Sequence, residues 1–286
     1  MSDKVAFTSW ESAVQWLRNQ PDQHELVRAA YYDDPLRDAA ERYRQSDEWQ
    51  AIRAQLLTTA GSALDIGAGR GIASYALARE GFDVTALEPD SSDLVGAGAI
   101  RSLASEARLS IHVVEEFSER LPFADCSFDL AFARAVLHHT ADLGAACQEF
   151  FRVLKPGGRF IAVREHVISR REHLDAFLQA HPLHNLYGGE NAFLLNEYIS
   201  ALLRAGFIVR SVLRPLQSPI NYFPHSPESL REELVLRLGK VPGSRPILRF
   251  LLAPNPVFSS VLRILSVLDS RPGRLYSFFC DKPEAR

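Results

Sequence analysis

The chain has 286 residues, 47% of them hydrophobic and 23% charged, with a formal net charge of −3 at pH 7. That length supports one large core, or a core with a cap. The balance shows no basic excess of the kind that marks nucleic-acid binding. Cys126, Cys147 and Cys280 form no CxxC pair and no metal-ligand spacing, so reduced thiols in a cytoplasmic protein are expected.

Met1 to Glu11 has no basic stretch followed by an apolar run, and no signal peptide is expected. From Ser9 to about Gln55 the spacing is helical, with Trp10, Val14, Trp16 and Leu17 in one run and Leu36 to Ile52 in another. Pro21 and Pro35 punctuate it. The rhythm then changes. Ser62–Ile66, Phe82–Leu87, Ser110–Val114, Phe128–Phe132 and Arg159–Val163 read as short apolar strands. Gly71–Arg79, Asp90–Ala107 and Asp142–Leu154 read as the helices between them, the last closed by Lys155-Pro156-Gly157-Gly158. Such alternation predicts βαβ units and a parallel sheet covered on both faces. A helix from Asn196 to Arg204 and a strand from Phe207 to Val212 follow. A long helical stretch then runs from Ser226 to Leu268, and Arg274–Cys280 reads as a last strand. The expected division is a helical annex over 1–58, a Rossmann-like core over 59–217 and 273–286, and a helical cap inserted over 218–272.

Chemistry concentrates where the first strand meets the first helix. Asp65-Ile-Gly67-Ala68-Gly69-Arg-Gly71 is a GxGxG loop with an acidic residue two positions before it. Glycines there let the backbone pass close beneath a ligand, and amides at the helix start can face its polar groups. A dinucleotide fingerprint requires glycine at position 72, where this chain has Ile72. Glu88 ends the second strand about 20 residues on, where a carboxylate can accept both ribose hydroxyls. Pro89 follows, with a flat ring able to pack on adenine.

Three further motifs follow in order: Leu121-Pro-Phe-Ala-Asp-Cys-Ser-Phe-Asp129, Ala135-Val-Leu-His-His139 and Arg152-Val-Leu-Lys-Pro-Gly-Gly158. With the loop and Glu88, these resemble the class I S-adenosylmethionine-dependent methyltransferases, in the branch with small-molecule and lipid acceptors. The resemblance is close from about residue 60 to 165, and weakens to an LLRAGF signal at Leu202 to Phe207. It implies an α/β, doubly wound, mostly parallel seven-stranded sheet with an antiparallel last strand, and S-adenosyl-L-methionine as cofactor. It places Asp65, Gly67, Ala68 and Gly69 under the methionine part of that cofactor, Glu88 on its ribose, and Arg134 above it. Relatives often carry an acidic residue five positions before the proline of LPF. Here Phe117 stands there, between Glu116 and Ser118. Phe117 and Ser118 are expected to line the adenine pocket, with Glu116 or a backbone carbonyl taking the amino group.

Glu165 and His166 lie at the carboxyl end of the fifth strand, the edge where open α/β sheets bind ligands. They are the candidate catalytic or substrate-orienting pair. The adjacent His138 and His139 sit on a helical turn and are expected to point to different faces. His181, His184 and Glu190, in a loop carrying Gly188 and Gly189, show no spacing that demands a metal, so no metal site is expected. The function expected is methyl transfer to a small-molecule, lipid or sugar-containing acceptor, with no nucleic-acid partner. A non-catalytic cofactor-binding module and a nicotinamide-dependent oxidoreductase are the alternatives. The apolar run Pro246–Leu268 carries Arg249, Pro254, Asn255, Pro256 and Arg263. It is too interrupted to span a membrane, and is expected as a cap that lines an apolar pocket or touches a bilayer surface.

Overall fold

The computed structural model describes residue 7, residues 9–241 and residues 243–284; the reading of Met1 to Glu11 falls largely outside them. Four helices come first: α1 (Trp10–Arg18), α2 (His24–Ala29), α3 (Leu36–Gln45) and α4 (Asp47–Arg53). The alternating section runs β1 (Gly61–Ile66), α5 (Ile72–Glu80), β2 (Phe82–Leu87), α6 (Ala97–Ala107), β3 (Ile111–Val114), β4 (Phe128–Arg134), α7 (Leu143–Val153) and β5 (Leu154–Ile168). After it come α8 (His173–Ala180), β6 (Phe193–Leu194), α9 (Leu195–Ala205) and β7 (Ile208–Leu213). Helices α10 (Pro219–Tyr222), α11 (Pro227–Leu238), α12 (Ser244–Leu252) and α13 (Asn255–Leu268) lead to β8 (Arg274–Asp281).

The strands form one sheet in the order β3-β2-β1-β4-β5-β8-β7, with the two-residue β6 pairing the end of β5. β1 to β5 are mutually parallel, and β8 runs antiparallel between β5 and β7. The apolar runs are continuous because both faces are covered. Leu64, Ile66, Ala131, Ala133, Phe160 and Ala162 pack under Phe150 of α7 and Tyr198 and Leu202 of α9. The alternate residues Ala63, Leu130, Phe132, Ile161 and Val163 pack under Tyr43 of α3, Trp49 and Ile52 of α4, and Ala73, Ala76 and Leu77 of α5. Helices α3 and α4 thus share a core with the sheet. Ile220 of α10 joins that same cluster, whereas Leu230, Leu234, Val235, Leu252, Phe258 and Leu262 of α11 to α13 form a smaller cluster of their own.

Several boundaries differ from the sequence expectation. α6 begins at Ala97, seven residues later than expected, because Asp90 folds the chain back on itself. Its carbonyl accepts from Ala97 N at 2.7 Å and its Oδ1 from Ser92 N at 2.8 Å. The long helical stretch after Ser226 is three helices, with a 102° bend between α12 and α13. β5 spans 15 residues rather than five. It carries a bulge: its register on β8 shifts between Ala162 and Glu165, and Arg164 there has φ of 62°. A bulge adds one residue and reverses which face the following side chains meet. Glu165 and Val167 consequently lie on the face of Phe160 and Ala162, not on that of Ile161 and Val163.

Candidate active site

β1 delivers the chain into the glycine loop at the carboxyl edge of the sheet. Gly67, Gly69 and Gly71 adopt φ of 60°, 55° and 80°, a region glycine enters without the penalty a side chain brings. A Cβ at Gly67 would lie 2.8 Å from Val136 Cγ2, and one at Gly71 3.2 Å from Ile100. A Cβ at Gly69 would meet nothing within 4 Å. The loop is pressed against the protein at both ends and open in the middle. Ala68 N donates to Leu87 O at 3.0 Å, fixing the loop to the end of β2.

Two buried carboxylates face this cradle. Asp65 is 1% exposed and accepts from Ser74 Oγ at 2.5 Å. Burial pushes its carboxyl up to about 7 against that hydrogen bond, with the nearby Glu88 charge adding to the rise. Glu88 accepts from Gly69 N at 2.7 Å through Oε2 and from Asp90 N at 3.0 Å through Oε1. Burial holds its carboxyl above the usual range, although both amides pull it down. Beside them Pro89 is exposed, Ser118 is half-buried and the Phe117 ring is 70% exposed. An open backbone cradle, carboxylates short of cationic partners and a bare aromatic ring suit a cationic ligand with a ribose and an aromatic base.

Arg134 is held from the side of the first helices. Its guanidinium is held bidentately by Glu48 of α4, at 2.7 and 3.1 Å, and lies over the Tyr31 and Tyr43 rings. This buried ion pair joins α4 to β4. Sequence reading passed over the arginine that does bind the loop to the first helices. Arg70, 6% exposed, donates from Nη1 to Tyr31 O and Asp33 O at 3.0 Å each, and from Nη2 to Asp34 Oδ1 at 2.5 Å.

Beside the cradle lies a cluster of imidazoles. The chain after β4 turns through a three-residue 3-10 helix, Leu137–His139. The bulge in β5 carries Glu165 beneath it. Fully buried, Glu165 accepts from Val136 N and His138 N at 3.1 Å each, and its Oε2 lies 2.7 Å from His138 Nδ1. Burial alone would depress the His138 imidazole, but Glu165 and then Glu190 outweigh it and raise it to about 9. His166 Nδ1 lies 2.8 Å from Gly273 O. Burial, with the charge of His138, pushes this imidazole down to about 3.

His138 and His139 do not diverge as expected of helix neighbours. Their ring centroids are 4.2 Å apart, and both present Nε2 to Glu190 Oε2, at 3.6 and 3.8 Å. His181 Nδ1 lies 3.8 Å from Glu190 Oε1. Burial pushes Glu190 up, but the surrounding imidazoles prevail and hold it at about 2. The sequence did not bring His138, His139, His181 and Glu190 together. The signal was present only as functional side chains dense in a loop. Val136, which abuts Gly67, stands two residues before His138, so pocket and cradle share a wall.

A family model described as a methyltransferase domain matches residues 64–162, the segment from β1 to β5 that carries the cradle. The ubiquinone biosynthesis O-methyltransferase of a Methylobacterium species is 31% identical over 160 residues, 56% of this chain and 59% of that protein. The chain spans 36–59% of the length of the curated relatives it matches first. Among solved structures, the geranyl diphosphate C-methyltransferase of Streptomyces coelicolor superposes with a TM-score of 0.59 at 15% identity, covering 97% of this chain and 99% of that one. The [4+2]-cyclase SpnF superposes with a TM-score of 0.58 at 20% identity, covering 98% of each. Sequence match and sheet order agree: residues 64–162 match a methyltransferase domain, and the sheet has the fold of solved methyltransferases.

Proposed function

We propose that this protein transfers a methyl group from S-adenosyl-L-methionine to a small-molecule or lipid-like acceptor, at an O, N or C atom. The observation that carries the reading is the juxtaposition at Gly67 and Val136, where a cradle suited to the cofactor adjoins a polar pocket suited to an acceptor. When bound, the cofactor supplies a sulfonium methyl already activated for in-line displacement. The protein's part is alignment and exclusion of water, which can lower a barrier by roughly 7–11 kcal/mol. In this reading the backbone at Asp65, Gly67, Ala68 and Gly69 runs beneath the methionine part. Glu88 accepts from the ribose hydroxyls, and Pro89, Phe117 and Ser118 flank the adenine.

A hydroxyl acceptor also needs a base. Glu165, sealed behind His138, acts in this reading as a positioning residue, while His166 stands in the pocket. Glu165→Gln and His166→Ala then lower turnover more than cofactor affinity. The fold does not carry transfer by itself, since a neighbour named a cyclase shares it.

No single helix among the described residues is long and apolar enough to cross a membrane, and a cytoplasmic location fits the three free cysteines. On α12 and α13, Ile247, Phe250, Leu251, Ile264, Val267 and Leu268 are each more than half exposed. That face, with Arg245, Arg249 and Arg263 interleaved, supports capture of an apolar acceptor or peripheral contact with an anionic bilayer. Calorimetry with S-adenosylhomocysteine and with NAD, followed by transfer of labelled methyl to a panel of hydroxylated and isoprenoid acceptors, tests the proposal. Binding of NAD alone, or cofactor binding with no transfer to any acceptor, would defeat it.

A further inference from the structure

We propose that His138, His139 and Glu190 form a site for one divalent cation of the imidazole-preferring class, such as Zn2+ or Co2+, with His166 and His181 on its far side. The geometry comes first. Glu190 Oε2 lies 3.6 Å from His138 Nε2 and 3.8 Å from His139 Nε2. These separations are too long for hydrogen bonds. They approach the spacing of ligand atoms around one ion, since metal–ligand bonds of about 2.0–2.2 Å set tetrahedral ligands roughly 3.3–3.6 Å apart. Ring nitrogens of His166 and His181 lie within 4.8 Å of each other and of a Glu190 oxygen, so Glu190 is common to both groups of three.

Independent support comes from Glu190 itself. Its side chain is 8% exposed, and its buried Oε2 has no hydrogen-bond partner among the described residues. An ionised oxygen buried without a partner costs free energy, and a cation between the imidazoles would satisfy it. The rear of each imidazole is also prepared. His138 Nδ1 is backed by Glu165 Oε2 at 2.7 Å, and His139 Nδ1 by Gly189 O at 2.9 Å. His166 Nδ1 is backed by Gly273 O at 2.8 Å. A carboxylate or carbonyl behind Nδ1 holds the proton there, so that Nε2 is the lone-pair donor once a cation displaces any proton it carries, the arrangement usual for metal-ligating histidines. Imidazole nitrogens, two of the three donors here, favour zinc-like ions over magnesium or calcium. The His139 side chain is 41% exposed, which leaves an entry path.

The inference goes beyond methyl transfer, and none of these residues forms part of the glycine cradle. Metal and cofactor can therefore be read separately. The full chain, stripped with a chelator, is titrated with Co2+ while its visible d–d absorption is followed. We expect one equivalent to bind, with Zn2+ displacing it. Glu190→Gln and His139→Ala should each weaken binding at least tenfold, with the affinity for S-adenosylhomocysteine unchanged. His112→Ala, an exposed histidine on β3, should bind Co2+ as the parent does. Absence of binding, or parent-like affinity in both pocket variants, overturns the proposal. Should Glu190→Gln fail to fold, the half-exposed His139→Ala decides alone. Failure of S-adenosylhomocysteine to bind the parent while Co2+ binds would instead defeat the methyltransferase reading.

Discussion

The two walls of the crevice are built in opposite ways. The cofactor wall is nearly contiguous in sequence: one loop from Asp65 to Gly71, plus Glu88 at the end of the adjacent strand. The histidine wall is assembled from segments far apart, 136–139, 165–166, 181–190 and Gly273. Their electrostatics also contrast. Asp65 and Glu88 are buried without cationic partners, and burial raises both. Glu190 is surrounded by imidazoles and is held at about 2. The first wall is set for a ligand that brings positive charge, and the second already contains its own balance of acid and base. The walls meet where Val136 packs against Gly67.

The harshest way to break this comparison is at that meeting point. Gly67→Val should abolish binding of S-adenosylhomocysteine, by more than about 100-fold, because its Cβ would strike Val136 at 2.8 Å in a backbone of φ 60°. Calorimetry on a variant with a native circular dichroism spectrum is the check, and retained affinity would mean that the loop is only a turn. Next in size is Glu48→Ala. It strips the partner from Arg134, and Arg164 Nη1 lies a further 3.8 Å from the same carboxylate. Breaking a buried pair on one side costs about 3–5 kcal/mol. Urea unfolding should show a lower midpoint and a single transition, since α3 and α4 share their core with the sheet. Two separate transitions would show instead that the first helices fold on their own.

What could be read from sequence follows the same contrast. The sheet and the cradle were legible because periodicity and a glycine loop act over a few neighbouring residues, as at Ser62–Ile66 and Gly67–Gly71. The histidine pocket was not, for two local reasons. The turn at Leu137–His139 is too short to be an α-helix, so the rule separating adjacent side chains does not govern it. The bulge at Arg164 reverses the face presented by Glu165, and nothing in Ala162-Val-Arg-Glu165 announces it. The hold on Arg134 was not legible because its partner Glu48 lies 86 residues away. A helix start such as that of α6 was missed because the Asp90 turn is held by its own backbone contacts.

A milder test asks whether Glu88 makes the ribose contact proposed for it. Glu88→Ala should weaken binding of S-adenosylhomocysteine by about 1.5–3 kcal/mol, the usual worth of hydrogen bonds to a charged group. That corresponds to roughly 10- to 150-fold in affinity. The fold should persist, although Gly69 N and Asp90 N lose their acceptor. An unchanged dissociation constant in the folded variant would move the ribose away from Glu88 and leave that carboxylate as a loop clamp.

The last test concerns Asp65 and reads the electrostatics of the same wall without any ligand. Burial raises its carboxyl from 3.8 to about 7 in the folded chain. Between those values the folded state retains a proton that the unfolded state has released, so stability falls as pH rises through that window and levels off above it. Asp65→Asn keeps an acceptor for Ser74 Oγ and removes the titrating group. Relative to the parent, ligand-free Asp65→Asn should therefore gain in melting temperature from about pH 4 to pH 7, with no further gain at higher pH. Thermal melts at pH 4.5, 6 and 7.5 measure this directly. A difference that stays constant across the three would mean that the carboxyl is ionised throughout. Asp65 would then already be balanced without a cationic ligand, and the contrast between the two walls would rest on Glu88 alone.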